Sequence, residues 1–255
     1  MPRTAVSVVS DPWHLGMMLA ADTETTGVNP VTDRLVTACA AYVDGSGKQP
    51  PQVRNWLAWP EVEIPESAAK IHGITTEHAR ENGFPAVQVI GEAAEMIISA
   101  AGSGIPLVLY NAAYDLTLLD RETRRYGFDP FGDELDAAHA LVVDPLVLDK
   151  ALDKYRKGSR KLVDVAAHYG VRLDGAHSAD GDALAAARVA WKIAARHPQV
   201  ARMSRSELMA FQATAAADQA KSLREHLAAK GETKRAMQVD GAWPWRTLAA
   251  EAVSR

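Results

Sequence analysis

The stretch MMLAADTETTG, residues 17–27, joins a short apolar run to two acidic residues. The run Met17–Ala21 predicts a buried β-strand that ends at Asp22. Side chains two residues apart on a strand point to the same face, so Asp22 and Glu24 should converge on one point. Two carboxylates that close repel each other unless a proton or a cation joins them, and hard oxygen ligands suit Mg²⁺ or Mn²⁺. Taken alone, the pair is equally typical of an acidic surface turn.

Outward from this stretch, the hydrophobic pattern predicts a mixed sheet covered by helices. Further strands are predicted over Arg34–Val43, Val53–Trp59, Pro106–Tyr110 and Leu141–Val143. Helices are predicted over Ala86–Ala101, Tyr114–Tyr126, Leu162–Tyr169 and Ser178–Arg196. Consecutive strands followed by alternating helices and strands are typical of an α/β fold.

Charge divides the chain into two parts. Residues 1–195 hold 18 basic and 26 acidic residues, a balance of −8, whereas residues 196–255 hold 10 and 6, a balance of +4. A helical pattern also stops at His197-Pro198. We therefore expect a main domain over residues 1–197, with its core at 17–195, and a helical extension over 198–255.

Composition excludes several classes of protein. The chain has 255 residues, a formal net charge of −4 and one cysteine, Cys39. One cysteine rules out an intramolecular disulfide framework and favours a cytoplasmic location. Residues 1–16 lack the apolar run of a secretory signal, and no stretch approaches the ~18 apolar residues of a membrane span. The negative charge argues against binding nucleic acid by bulk electrostatics, but it leaves open an enzyme that uses its acids to hold metal.

Four further polar residues lie at the starts of the later predicted helices. Asn111 is a candidate N-cap, and Asp115 falls in the first turn of the helix after it. His177 and Asp182 open the last helix of the main domain, five residues apart with Gly181 between them. Each has an ordinary structural explanation by itself, because carboxylates near a helix N-terminus are often caps or dipole partners.

Together these residues form three motifs in a recognisable order: D-x-E-x-T-G at 22–27, N-x3-D at 111–115 and H-x4-D at 177–182. The order and spacing resemble the DEDD superfamily of DnaQ-like 3′–5′ exonucleases, in the branch with histidine in its last motif (DEDDh). Residues 71–75, Ile-His-Gly-Ile-Thr, resemble a segment of proofreading exonucleases such as those of bacterial DNA polymerase III. The resemblance covers roughly residues 17–195 and implies a ribonuclease H-like fold.

The resemblance also implies a catalytic site. Asp22, Glu24, Asp115 and Asp182 would hold two divalent cations, Mg²⁺ or Mn²⁺, with Asp22 bridging both and Asp115 acting largely through water. His177 would be the general base, since a histidine accepts a proton near neutral pH. The expected reaction releases 5′-mononucleotides from a free 3′ end, with single-stranded DNA as the expected substrate. The alternatives are an exoribonuclease of the same superfamily, a non-catalytic nucleic-acid-binding module and an unrelated metal-dependent phosphatase.

Substrate contacts follow from the same resemblance. The terminal nucleotide would meet residues around the first motif, the 71–75 segment and the second motif, namely Thr23, Thr25, Thr26, His72, Ile74, Asn111 and Tyr114. His72 could instead stabilise a turn, and Tyr114 could belong to the core.

A basic run precedes the Leu162 helix and consists of Lys150, Lys154, Arg156, Lys157, Arg160 and Lys161. Such a run could follow the substrate backbone, although a solvated charged face is the ordinary explanation. The basic side chains of the preceding helix, Arg121, Arg124 and Arg125, are expected on the surface.

The extension is predicted to contain a helix over Leu208–Lys230, preceded by a capping box at Ser204. Trp243-Pro244-Trp245 is expected to dock on the main domain, although a partner or nucleic-acid bases could also receive it. The extension is a candidate binding region for a DNA polymerase or for a second copy of the chain.

Overall fold

The computed structural model describes residues 12–173 and 178–247. Within these residues, six strands form one sheet in the order β4-β3-β2-β1-β5-β6. The strands are β1 (Met17–Thr25), β2 (Leu35–Asp44), β3 (Gln52–Trp59), β4 (Phe84–Pro85), β5 (Leu107–Val108) and β6 (Val142–Val143). The first three pair antiparallel, whereas β5 runs parallel to β1 and β6 parallel to β5. This mixed sheet confirms the predicted α/β class.

Helices cover both faces of the sheet. A 3₁₀ turn at Trp13–Leu15 precedes β1. The helices before β6 are α1 (Glu66–His72), α2 (Thr76–Asn82), α3 (Ala86–Gly102), α4 (Ala112–Arg125) and α5 (Phe131–Ala137). The helices after it are α6 (Pro145–Leu152), α7 (Leu162–Tyr169), α8 (Ala179–Arg196), α9 (Pro198–Ala201), α10 (Arg205–Ala229) and α11 (Thr233–Gln238). Among the described residues, none of these helices has the length and apolar content needed to cross a bilayer.

The first strand is longer than its apolar run predicted. The prediction ended the strand at Asp22, but β1 continues to Thr25 because β2 pairs with it along its whole length. Asp22 lies opposite Cys39 and Glu24 opposite Thr37, and the register shifts only between Glu24 and Thr25. The two acids therefore lie within the ladder, where alternation of side chains holds strictly.

Short elements differ most from the predictions. β5 and β6 each have two paired residues, fewer than the predicted Pro106–Tyr110 and Leu141–Val143. The helices α1, α2, α5 and α6, each of seven or eight residues, were not predicted. Long elements agree closely, and α7 has the predicted bounds.

Side chains of β1 alternate between two cores. Met18 and Ala20 pack with the buried residues of α7 and α8, whereas Leu19 and Ala21 pack with those of α3 and α4. Residues beyond Ala21 continue this alternation, so the sheet directs one row of side chains toward α8 and the other toward α4.

The C-terminal extension returns to the main part of the molecule. The capping box at Ser204 begins α10 as predicted, and Gln212 of α10 is fully buried against β6. Trp243 and Trp245 pack against the larger core, which confirms the expected docking. Arg121 was wrongly expected on the surface: it is buried, and its guanidinium donates to Asp120 and to a main-chain carbonyl of the docked segment.

Candidate functional site

Three carboxylates converge at the end of β1. Asp22 and Glu24 occupy the β1 row that faces α8, and Asp182 lies in the first turn of α8. One ligand atom of each lies within 4.8 Å of the others. The i, i+2 geometry predicted from the sequence therefore brings Asp22 and Glu24 together. The fold adds Asp182, which follows Glu24 by 158 residues in the sequence.

Asp115 approaches the same acids from α4. It lies in the first turn of that helix and is 4% exposed. Thr23, on the β1 row that faces α4, donates its hydroxyl to Asp115 Oδ1 at 2.6 Å. Although Asp115 is not within the 4.8 Å cluster, its charge raises the pKa of both Asp22 and Glu24.

Burial and mutual repulsion shift the protonation of this group. Burial raises the pKa of Asp22 well above its ordinary value, and Asp115, Asp182 and Glu24 raise it further. Burial, with Asp182 and Asp115, raises the pKa of Glu24 to about 7. Burial also raises the pKa of Asp115 to about 7, although the hydrogen bond from Thr23 opposes the shift. The ionised forms of Asp22, Glu24 and Asp115 are therefore disfavoured unless a cation joins them.

The donor set fits a hard divalent cation. Carboxylate oxygens are the ligands that Mg²⁺ and Mn²⁺ prefer, and a cation would relieve the repulsion that raises these pKa values. Asp22, Glu24 and Asp182 are half-buried, so an ion can reach them from solvent. The acidic cluster indicates dependence on divalent metal.

The N-terminus of α4 is held by a carboxylate that the sequence motifs did not include. Asn111 adopts the left-handed conformation with φ +67°, and its side chain makes no capping hydrogen bond, contrary to the N-cap prediction. Asp144 instead accepts hydrogen bonds from the backbone N–H of Asn111 (3.1 Å) and Ala112 (3.0 Å). It thereby fixes the start of the helix that carries Asp115.

Asp144 also connects α4 to other elements. It caps α6 by accepting from the backbone N–H of Leu146 and Val147, and it lies 3.4 Å from Trp243 Nε1. Its own backbone N–H donates to Gln212 at 2.7 Å. The sequence signal was present, because Asp followed by Pro at the first helical position is a helix-start signature.

The predicted threonines and Tyr114 meet at the end of β1. The Tyr114 hydroxyl donates to the Gly27 carbonyl at 2.6 Å and lies 2.5 Å from Thr25 Oγ1. Burial raises the pKa of Tyr114 to about 12, so the hydroxyl stays protonated. Thr26 Oγ1 accepts from the Arg34 backbone N–H and closes the turn into β2. These contacts place Thr25 and Tyr114 beside the acidic cluster.

The 71–75 segment lies against the same end of β1. His72 ends α1, its Nδ1 accepts from the Ile74 backbone N–H at 3.1 Å, and Gly73 adopts the left-handed conformation that ends the helix. Burial lowers the pKa of His72, while the Thr25 backbone opposes that shift. Ile74 packs on the small core formed around Val36. His72 thus has the predicted turn contact and also borders the site.

The basic run separates into two kinds of side chain. Arg156 and Arg160 bind Asp149 Oδ2 at 2.6 and 2.5 Å, and this carboxylate is fully buried. These two arginines stabilise the α6–α7 connection, so the interpretation of the whole run as a substrate contact was wrong for them. His177, the predicted general base, lies outside the described residues.

The chain belongs to the RNase_T exonuclease family, whose sequence model matches residues 19–190. Within that class, a similar protein is the uncharacterized exonuclease CP81 of Escherichia phage 186. It is 33% identical over 185 residues, which cover 71% of this chain and 89% of the phage protein.

Solved structures of exonuclease I share the fold. The complex of E. coli exonuclease I with a dT13 oligonucleotide matches with a TM-score of 0.57 and 22% identity over 72% of this chain. Exonuclease I from Methylocaldum szegediense matches with a TM-score of 0.60 and 23% identity, also over 72% of this chain. The matches span 42% and 41% of those longer chains. The sheet flanked by helices is therefore ribonuclease H-like, as predicted.

Proposed function

We propose that this protein is a divalent-metal-dependent 3′–5′ exonuclease that releases 5′-mononucleotides, with single-stranded DNA as its substrate. The observation that carries the proposal is the convergence of Asp22, Glu24 and Asp182, with Asp115 beside them, in a member of an exonuclease family. Exonuclease I, which shares the fold, has solved complexes with dT13, with dA16 and with single-stranded DNA, which supports the substrate. The 3′–5′ direction rests on the resemblance of the three motifs to DnaQ-like exonucleases. The H-x4-D spacing of His177 and Asp182 supports the DEDDh branch.

The four acids would hold the cations, which number two in the family that the chain resembles. Bound divalent cations would neutralise charge on the scissile phosphate and lower the pKa of the attacking water. Thr23 orients Asp115 through its hydroxyl, and α4 supplies that carboxylate from a helix start fixed by Asp144. Thr25, Tyr114 and His72 form the border of the site on which the terminal nucleotide would lie. Thr26, Ile74 and Asn111 complete the proposed substrate contacts.

His177 is the proposed general base. A histidine has an ordinary pKa near 6.5 and can accept a proton from the attacking water at neutral pH. Replacing a general base typically lowers the rate by about 10²–10⁴-fold. We expect His177→Ala to fall in that range while the protein still binds divalent metal, and a rate near that of the wild type would reject this role.

End-labelled oligonucleotides test the reaction and its direction. A 5′-labelled DNA strand should shorten stepwise, whereas the same strand labelled at its 3′ end should release labelled mononucleotide first. Activity should require Mg²⁺ or Mn²⁺, disappear in EDTA, and be lost in Asp22→Asn. Asp164→Asn, at an exposed acid of α7, is the matched control and should retain activity. Activity that persists in EDTA, or shortening from the 5′ end, would reject the proposal. An RNA strand of the same sequence distinguishes the exoribonuclease alternative.

Residues 1–197 are the proposed catalytic domain, and residues 198–255 are a proposed binding region for a DNA polymerase or a second copy. The sedimentation coefficient across a concentration series tests self-association, and co-sedimentation with a DNA polymerase tests the other partner. The single cysteine supports a cytoplasmic location.

A further inference from the structure

The connection between α6 and α7 is a loop with a fixed inner side and an open outer side. Arg156 and Arg160 hold the inner side through the fully buried Asp149, and the Arg160 guanidinium also donates to the carbonyls of Asp153 and Arg156. Because guanidinium groups bind these acceptors in a fixed geometry, the path of the loop is set by the interior of the protein. The outer side chains are consequently presented from a rigid base.

The loop lies near the carboxyl-terminal ends of β1 and β5, where the acidic cluster also lies. β5 runs parallel to β1, with Val108 paired to Ala20. Tyr110 follows Val108 by two residues, and Asp22 follows Ala20 by two residues. Because adjacent strands are about 4.8 Å apart, Tyr110 and Asp22 lie at the same level of the sheet. The Tyr110 hydroxyl donates to the Arg160 carbonyl at 2.6 Å, so this one side chain ties the loop to that level of the sheet.

The loop also lies on the same face of the sheet as the acidic cluster. Tyr110 packs against the core between the sheet and α8, which includes Met18 and Ala20. Asp22 and Glu24 continue the Met18–Ala20 row of β1. The loop and the acids therefore lie at the same end of these strands and on the face of the sheet that packs against α8.

The outer side of the loop combines an aromatic ring with unpaired positive charge. Tyr155 is 88% exposed. Lys154 places its ammonium 6.0 Å from the Tyr155 ring centre, and Lys157 and Lys161 are exposed nearby in the chain. Within residues 12–173 and 178–247, none of these three lysines has an ion-pair partner, although Asp149 and Asp153 are close in sequence.

We infer that the outer side of this loop, formed by Lys154, Tyr155, Lys157 and Lys161, binds the single strand that leads to the active site. This inference rests on the proposed function and extends it from the terminal nucleotide to the nucleotides upstream. A lone exposed tyrosine needs no explanation, but a ring with the Lys154 ammonium beside it and two more exposed lysines in the same loop matches the way proteins hold single strands, with stacked bases and neutralised phosphates. Stacking and phosphate contacts do not read base identity, so the loop would favour long strands over short ones without sequence preference.

Steady-state kinetics on two substrates of different length test Tyr155. The substrate dT20 has an upstream strand, whereas the p-nitrophenyl ester of thymidine 5′-monophosphate has none. Tyr155→Ala should raise KM for dT20 by about 5- to 150-fold, because an alanine removes one base-stacking platform, and should leave hydrolysis of the ester unchanged. Tyr155→Phe retains the ring and should behave as the wild type. Phe84→Ala is the matched control and should leave KM for dT20 unchanged. Phe84 is an exposed aromatic residue of β4, the strand at the opposite edge of the sheet from β5 and β6.

Salt dependence tests the lysines. The combined variant Lys154→Gln, Lys157→Gln and Lys161→Gln should reduce the slope of log KM for dT20 against log salt by about 2, since each phosphate contact on a single strand contributes about 0.7. The corresponding variant of three exposed lysines in the extension, Lys221, Lys230 and Lys234, should keep the wild-type slope. An equal reduction in both variants would show that overall charge, and not this loop, attracts the strand.

Binding measured without hydrolysis separates failure of this inference from failure of the proposed function. Fluorescence anisotropy of 5′-labelled dT20 with Mg²⁺ is measured for Asp22→Asn and for Asp22→Asn combined with Tyr155→Ala. Weaker binding of the double variant by at least about 5-fold supports the loop even if the wild type fails to shorten DNA. Equal binding overturns the inference even if the wild type is an active exonuclease. Equal KM values for dT20 in the wild type and Tyr155→Ala would overturn it as well.

Discussion

Removal of one negative charge should stabilise this protein when divalent metal is absent. The perturbation is Glu24→Gln, which keeps the shape of the side chain. The pKa of Glu24 is about 7 in the folded protein, against an ordinary value of 4.5. A carboxylate whose folded pKa is raised contributes stability below its ordinary pKa and loses that contribution as pH rises through the folded pKa. Metal-free wild-type protein should therefore lose stability between about pH 4.5 and pH 8.

The size of the effect follows from the same shift. A difference of about 2.5 pKa units corresponds to about 3 kcal/mol at a pH above both values. Partial exposure of Glu24 and salt screening reduce this, so we expect Glu24→Gln to be more stable than the wild type by about 1–3 kcal/mol at pH 8 in EDTA. At pH 4, where Glu24 is protonated in both the folded and the unfolded protein, the difference should be small.

Urea unfolding followed by circular dichroism measures the free energy of unfolding at both pH values, with EDTA or with Mg²⁺. Saturating metal should reverse the order, because a ligand at 100 times its Kd stabilises the wild type by about 2.7 kcal/mol and the variant lacks one ligand. Glu225→Gln, at an exposed acid of α10, should match the wild type throughout. If Glu24→Gln is less stable than the wild type at pH 8 in EDTA, the acids do not repel one another as the structure indicates.

The remaining predictions concern the supports of the site. Asp144→Ala should lower the free energy of unfolding in urea by about 3–5 kcal/mol, because four backbone N–H groups lose their acceptor. Asp144→Asn keeps one oxygen acceptor and should lower it by about half as much. Arg160→Ala should cost about 1.5–3 kcal/mol in the same measurement, because buried Asp149 loses one of its two arginine partners and keeps Arg156, and a variant of unchanged stability with weakened DNA binding would contradict its structural role. Gly132→Ala should displace the docked C-terminal segment, since a Cβ there would lie 2.6 Å from Trp245 Nε1; faster proteolysis of that segment, with a shift in tryptophan emission, is the expected readout.

Much of the fold was accessible from local patterns. The strands β2 and β3 and the helices α3, α7 and α8 agree with their predictions within about two residues. All of them except the eight-residue α7 are long for their type, so that their hydrophobic period is distinct. The strands β5 and β6 were predicted from their apolar runs, but each has only two paired residues, because the extent of a strand depends on which neighbour pairs with it.

The candidate site was predictable to the extent that residue type determines chemistry. The spacing of Asp22 and Glu24 on one strand specified their convergence, since strand geometry fixes the direction of every second side chain. The spacing within the later motifs placed Asp115 and Asp182 at helix starts. The residue types and their spacing therefore indicated a divalent-cation site before the positions of the four acids in the fold were known.

Partner choice is what the tertiary structure decided. By sequence, Arg156 and Arg160 were equivalent to the lysines around them; only the fold buries Asp149 and commits both arginines to it. Asp144 was not singled out by the sequence, but the fold places two helix starts and the indole of Trp243 against its carboxylate. The physical reason is that local conformation depends on neighbours in the chain, whereas the partner of a buried charge depends on which distant groups the packed core leaves within about 3 Å of it.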